Sequence, residues 1–288
     1  MNKRVFCSIF SAIVLLLLLG CGGGGSSDGS TGTLTANITD AKPVILGDPE
    51  EIWITFEEVL AHRSEGGWIS LPLPQTPLTI NLRAFHDGET TQLVTPVELA
   101  SGKYTQIRFV ISDAHMVITG VAQSIDLDVP SGNLKTDKNF TFEVVADTAV
   151  DITVDFDLSQ SIVVTGDNQY KLKPVLHINE TQEAGTIRGK LDNNSFGVSP
   201  DAIVTVFWDE NGDFVADPDE AYTKVVVVKD QIASETEFSV FWMVREDNYI
   251  VLIEADTDND SVLDLVYDED DIDLKTSGLH QLNGGLAI

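Results

Sequence analysis

Two short stretches late in the chain carry oxygen-bearing side chains at spacings that could hold a hard cation. In the first, Asp209, Asn211, Asp213, Asp217 and Glu220 fall at positions one, three, five, nine and twelve of a loop. In the second, Asp256, Asp258, Asp260 and Asp264 fill positions one, three, five and nine. A calcium ion takes about 6–8 oxygen ligands, and the one-three-five spacing lets a tight loop wrap side chains around it. Without an ion, four or five carboxylates in one loop repel one another, and a cation would relieve this and lock the loop.

Both stretches resemble bacterial Asp-x-Asp-x-Asp calcium loops, and both depart from the pattern. A helix-flanked calcium loop uses glycine at position six for its sharp turn; here Phe214 and Ser261 stand there. The second loop has Tyr267 at position twelve, with Asp268 one residue late. Asp, Asn and Gly also make plain solvated turns, and a single such loop would be read that way. Two in one region favour calcium. The further acidic run Asp268-Glu269-Asp270-Asp271 is read as a solvated turn.

The other residue with chemistry to offer is Cys21. Ahead of it come Lys3 and Arg4, an apolar run from Ile9 to Leu19 broken only by Ser11, and the tetrad Leu18-Leu19-Gly20-Cys21. This resembles a secretory signal ending in a bacterial lipobox. The resemblance implies removal of residues 1–20 and diacylglycerol on the Cys21 thiol. Val5 to Gly20 is 16 residues, short of the roughly 20 that a helix needs to span a bilayer. Residues 21–31 then form a lipidated tether, whose Gly/Ser-rich segment from Gly22 to Thr31 has a reach of roughly 15–20 Å. Gly25-Ser26-Ser27-Asp28-Gly29 matches the G-x-S-x-G hydrolase pattern but lacks the strand before and the helix after that a nucleophile elbow needs. Gly22, where Asp would favour retention in the inner membrane, implies an outer-membrane address, with either the periplasmic face or the cell surface open.

Removing the leader leaves 268 of the 288 residues, enough for two domains. Loss of Lys3 and Arg4 takes the formal charge from −29 to −31. So acidic a chain has no basic patch to neutralise phosphate, which argues against nucleic acid as a partner. Cys7 departs with the leader and Cys21 is the lipid acceptor, so no thiol is left for a disulfide, a nucleophile or a zinc site.

From Gly32 onward the dominant signal is period-two alternation. Leu34, Ala36 and Ile38 share one face, as do Ile52, Ile54 and Phe56, and then Thr105, Ile107, Phe109 and Ile111. Phe140-Phe142-Val144 and Val150-Ile152-Val154-Phe156-Leu158 repeat the pattern, separated by Val145 to Thr148 at hairpin spacing. Asp151, Thr153, Asp155 and Asp157 should point to water. One dry and one wet face per strand predicts antiparallel sheets packed as sandwiches. No helical stretch of convincing length interrupts them. The expected fold is all-β: two antiparallel β-sandwiches in tandem after the leader, over residues 32–180 and 184–288, joined by the polar Thr181 to Gly185.

Several ordered motifs of the first unit carry a family resemblance. They are Gly32-Thr33-Leu34, Ile38-Thr39-Asp40-Ala41, Trp53-Ile54-Thr55-Phe56, Gly102-Lys103-Tyr104-Thr105-Gln106-Ile107-Arg108, Asp155-Phe156-Asp157-Leu158 and Tyr170-Lys171-Leu172-Lys173-Pro174-Val175-Leu176. Together they resemble the bacterial lipoprotein family of domain of unknown function 4382 over about residues 32–179. That implies an exported β-rich domain and carries over no catalytic residues. The second unit has 23 Asp/Glu against 6 Lys/Arg over residues 184–288. In strand pattern, though not in motif, it is similar to carboxypeptidase-regulatory, prealbumin-like or Ig-like sandwiches.

His62, His86, His115, His177 and His280 are scattered without H-x-x-x-H spacing, as ordinary strand or loop residues. Tyr104, Trp53, Trp68 and Trp208 could line a sugar platform, but aromatic residues of sandwiches usually fill the core. The leading expectation is a non-enzymatic, lipid-anchored binding or scaffold protein stiffened by calcium. Its partners would be the membrane through the anchor and a cell-surface protein or polysaccharide. Two alternatives stay open: a carbohydrate- or polymer-capture module serving a partner enzyme, and a metal-dependent hydrolase, which would need a general base beside an open coordination position.

Overall fold

A computed structural model describes residues 30–40, 49–85, 88–121, 123–136, 140–166, 169–194, 201–258, 260 and 262–282. The expectations for the leader and for Cys21 lie outside these residues. Strand formation follows the alternation. In β1 (Thr31–Thr39), Leu34, Ala36 and Ile38 are buried while their neighbours are half-exposed. The first part of the chain continues through β2 (Pro49–Arg63), β3 (Trp68–Leu71), β4 (Leu78–Asn81), β5 (Thr91–Ala100), β6 (Gly102–Ile118), β7 (Ile125–Asp128), β8 (Asn133–Lys135) and β9 (Phe142–Val144). Then come β10 (Ala149–Phe156), a single helical turn α1 (Leu158–Ser161), β11 (Ile162–Val164), β12 (Tyr170–Leu172) and β13 (Leu176–Glu180). The second part has β14 (Gly185–Asp192), β15 (Asp201–Trp208), β16 (Ala221–Val228), β17 (Glu235–Met243), β18 (Tyr249–Ala255), β19 (Asp264–Ile272) and β20 (Leu279–Gln281). No helix among the described residues is long and apolar enough to cross a membrane.

The strands make four sheets. One is ordered β13-β10-β1-β5 and faces a larger sheet whose main path is β11-β12-β7-β6-β2-β3. Between them lies one apolar core, with Leu34, Ile54, Phe56, Tyr104, Phe109 and Phe156 fully enclosed. The other two sheets, β17-β14-β20 and β16-β15-β18-β19, enclose a separate core around Ile187, Val204, Tyr249 and Val251. The protein is therefore all-β and built from layered sheets.

Three local expectations are corrected. Pairing is not antiparallel throughout: β1 runs parallel to β10, β12 to β7 and β14 to β20. Phe142–Val144 and Ala149–Phe156 are not a hairpin, because β9 pairs with β6 in the large sheet while β10 pairs with β1 and β13 in the small one. The link between them crosses from sheet to sheet over β1. Its carbonyls pass so close to Gly32 that a Cβ there would sit 2.3 Å from the Val145 oxygen.

The third correction concerns the face of β10 expected in water. Thr153, Asp155 and Asp157 are all buried. The second pair of sheets abuts this side: the Gln160 amide donates to the Tyr222 carbonyl at 2.5 Å, and the Asn179 amide donates to the Trp242 carbonyl at 2.6 Å. The wet face implied by the alternation is thus the seam between the two halves.

Candidate metal loops and the interdomain seam

Both acidic loops leave the ends of one antiparallel ladder. Trp208 of β15 is opposite Tyr249 of β18, and Ala202 is opposite Ala255. The loop after Trp208 and the loop after Ala255 therefore lie at opposite ends of the same sheet, about 20–25 Å apart along strands of this length. They cannot share an ion.

In the second loop the carboxylate oxygens of Asp256, Asp258 and Asp260 all lie within 4.8 Å of one another. Asp258 and Asp260 are exposed. Each folds the chain as well: Asp258 accepts the Asp260 N–H at 3.2 Å, and Asp260 accepts the Val262 N–H at 2.7 Å. The fourth expected ligand, Asp264, is turned to another task. It accepts the Thr257 N–H at 3.1 Å and the Thr257 hydroxyl, closing the loop, and these bonds hold its carboxyl below the usual range. Ser261 lies outside the described residues.

The first loop is organised by its own backbone. Asp209 is 0% exposed and accepts three N–H groups, from Gly212 at 2.7 Å, Asp213 at 3.2 Å and Phe214 at 2.8 Å. Asn211 accepts the Asp213 N–H at 2.8 Å, and Asp213 accepts the Val215 N–H at 2.9 Å. Asp217 leads into the short turn Pro218–Glu220, whose Glu220 carboxyl is pushed up by partial burial and by the charges of Asp209, Asp217, Asp213 and Asp219. Glu220 Oε2 is buried with no hydrogen-bond partner among the described residues. Five expected ligands are thus neighbours in one loop, but only the Asp256 group gathers three acidic side chains within 4.8 Å among the described residues. Phe214, at the position where glycine was expected, adopts a glycine-like φ of 61°.

Sequence reasoning missed a second group, at the seam. Asp40 is 3% exposed and Asp155 5% exposed, and both line a cavity of about 400 Å³ closed on its other side by β16 and β17. Asp40 accepts the Leu158 N–H at 3.1 Å through Oδ1, while Oδ2 has no partner among the described residues. Burial and the charges of Asp155 and Asp157 push its carboxyl well above the usual range, against the Leu158 N–H and Arg83. Asp157, fully buried, has the opposite fate. Burial pushes it up, yet the His177 imidazole 3.8 Å away and hydrogen bonds from Ser159 and Gln160 hold it below the ordinary value. Aspartates are depleted in strands, so Asp151 and Asp155 on one face of β10, with Asp157 just after it, were the signal available in the sequence.

The four aromatic residues that could have lined a sugar platform have separate surroundings. Tyr104 is enclosed in the first core, stacked on Phe142 at 5.0 Å, and Trp208 packs against the second core beside Tyr249. Trp68 lies under the Arg108 guanidinium at 3.9 Å, and Trp53 donates to Glu51 at 2.8 Å. His62, His115, His177 and His280 are each hydrogen-bonded to neighbouring strand or turn residues, and His86 lies outside the described residues.

Comparison with curated proteins finds no match. Among solved structures the chain is similar to a putative adhesin from Bacteroides ovatus ATCC 8483, at 8% identity and a TM-score of 0.23, covering 88% of this chain and 94% of that one. It is also similar to the Bacillus anthracis TIE protein, at 11% identity and a TM-score of 0.18, covering 87% of this chain and 34% of that one. Neither likeness is close enough to support an argument. A sequence profile described as "Domain of unknown function (DUF4382)" matches residues 31–174. It takes in β1 to β12 and stops short of β13, the strand that carries His177 and Asn179 into the seam. Matched over half its length, with the motifs from Gly32 to Lys173 in order, the chain belongs to the DUF4382 family.

Proposed function

We propose that the chain is an exported lipoprotein, held to the membrane by diacylglycerol on Cys21, that binds or scaffolds without catalysing a reaction and is stiffened by calcium. The observation that carries the calcium part is the convergence of Asp256, Asp258 and Asp260 within 4.8 Å on a loop open to water. Three carboxylates at that spacing offer half of a calcium shell, which loop carbonyls and water complete. The first loop is a weaker candidate, since Asp209 already satisfies three backbone N–H groups. The lipobox tetrad supports the anchor, and Gly22 after Cys21 supports the outer-membrane address. The partner class is a cell-surface protein or polysaccharide. The non-enzymatic reading is supported by the structural employment of each described histidine.

Calorimetric titration of the full chain with calcium tests the metal, beside Asp258→Ala plus Asp260→Ala. Binding heat and a rise in melting temperature are expected in the parent and not in the variant. No heat in the parent overturns the calcium reading. Mass spectrometry of native material tests the anchor: the expected amino terminus is an acylated Cys21, and an unmodified Met1 overturns it. Turnover on an esterase, peptidase or glycosidase panel that chelation abolishes would overturn the non-enzymatic reading.

A further inference from the structure

Ile232, on the turn between β16 and β17, is 97% exposed, yet the turn that presents it is firmly fastened. The Asp230 carboxylate accepts the Ile232 N–H at 2.7 Å and the Ala233 N–H at 3.1 Å. The Asn193 amide, just past β14, donates to the Asp230 carbonyl at 2.5 Å and to the Ala233 carbonyl at 2.8 Å. The Thr236 hydroxyl accepts the Asp230 N–H at 2.8 Å and donates to Asn193 Oδ1 at 2.6 Å. The loop between β18 and β19 treats Val262 and Leu263 alike. Both are exposed, while Asp260 accepts the Val262 N–H at 2.7 Å and Asp264 closes onto Thr257.

These turns belong to one end of one sheet. Val228 is opposite Asp201, Ala202 is opposite Ala255, and Ala255 is opposite Asp264. From Val228 to Asp264 is three strand spacings, about 14 Å. Val227 and Val266 point into the second core. Alternation therefore turns Val228 and Leu265 to the outer face, where both are exposed. Aliphatic side chains scattered singly over a surface are ordinary. Five at one sheet end, two of the three groups on turns already ordered, mark an interaction surface. An ordered turn that holds isoleucine in water adds nothing to the core, but it spares a binding event the cost of ordering.

Charge decides the occupant. Residues 229–234 and 256–265 contain five aspartates and one lysine. Anionic lipid headgroups, or the same end of a second copy, would bring like charge against them. A polypeptide surface with an apolar hollow bordered by lysine or arginine answers both features at once.

We propose that the end of the second sandwich formed by Val228, Ile232, Val262, Leu263 and Leu265 is the docking surface for a basic partner polypeptide, its aliphatic side chains seating in an apolar hollow ringed by cations. This rests on the binding role proposed for the chain and gives that role a surface. It needs neither calcium nor the anchor.

The test flows the full chain, in detergent and chelator, over a sensor-bound peptide of alternating leucine and lysine. Two control peptides carry glutamate for lysine and serine for leucine. Saturable binding of the leucine-lysine peptide is expected, at least tenfold tighter than of either control. Ile232→Ser plus Leu263→Ser should lower it to the level of the lysine-serine peptide, with the melting temperature unchanged. Amide exchange at residues 229–234 and 262–265 should slow when the peptide is added. No binding, binding undiminished in the double variant, or equal binding of either control would each overturn the inference. So would slowing of the same amides in phosphatidylcholine bicelles without peptide, which would assign the surface to lipid. Chelator keeps the calcium reading out of the result. The non-enzymatic role fails separately, through turnover on the substrate panel.

Discussion

His177 stacks on Tyr222 with ring centroids 3.9 Å apart and an interplanar angle of 21°, and its Nε2–H donates to the Tyr222 carbonyl at 3.1 Å. One residue is on β13, the other on β16, so this pair fastens the two layered bodies to each other. Tyr222 in turn meets Tyr249 edge-on, and its hydroxyl oxygen accepts the Val244 N–H at 3.2 Å. Removing the imidazole by His177→Ala should cost about 1–2 kcal/mol from the lost stack and hydrogen bond. In a chain of this size that lowers the melting temperature by about 2–6 °C. Scanning calorimetry should show the transition broaden or split as the halves uncouple.

Asp40 and Asp157 respond to pH in opposite senses. Asp40 is displaced upward, so at pH below the ordinary carboxylate range it carries no penalty, and folded stability falls as pH climbs through that range toward its raised value. Asp157 is displaced downward, so its contribution is present above the ordinary carboxylate value and is lost as pH falls through its lowered one. Asp40→Asn should therefore raise stability at pH 7 by on the order of 1 kcal/mol, with the gain shrinking toward pH 4. The acid-side loss due to Asp157 should persist in the variant. Melting curves from pH 3 to 8 check both signs.

The two acidic loops should answer differently to truncation. Asp209→Ala removes the shared acceptor of the Gly212, Asp213 and Phe214 N–H groups and should cost about 0.5–1.5 kcal/mol per bond at most, with or without calcium. Asp258→Ala should cost under about 0.5 kcal/mol in chelator, as an exposed surface change does, and should abolish the stabilisation that calcium brings. Thermal melts in chelator and in calcium separate the two.

Phe214→Gly should stabilise the first loop by roughly 0.5–1 kcal/mol. The residue holds a φ of 61° with its side chain 53% exposed, so glycine relieves strain and forfeits little burial. Denaturant unfolding measures the gain.

Gly32→Ala should do the reverse. Its Cβ would fall 2.3 Å from the Val145 oxygen and 2.9 Å from the Thr148 oxygen, both main-chain atoms. A shift of the crossing link costs about 1–3 kcal/mol or more, visible as a lower unfolding midpoint.

The dry faces were legible because alternation reports burial on one side of a strand. Leu34, Ile54 and Phe109 lie where period two puts them. The other side of β10 was not legible: Thr153, Asp155 and Asp157 are covered by residues near Tyr222 and Trp242, some 70–90 positions downstream. Nothing local announces such a cover. The same holds for Val145 to Thr148, since four residues can close a hairpin or step between sheets. In the acidic loops the one-three-five spacing falls between strands, after β15 and after β18. That spacing serves backbone turns and ion binding alike, and Asp209 and Asp264 went to the turns.

Beside β1 stands β10, in parallel, with Thr33 opposite Ala149 and Thr39 opposite Asp155. A strand paired this way must wait for a neighbour more than a hundred positions further along. As the polypeptide emerges amino end first, its leading strand has β5 for company early but leaves its other edge bare until Phe156 arrives. The sheet that holds β1 thus closes on this edge only after β10 is made. Any product truncated short of Phe156 would expose an adhesive strand border along β1.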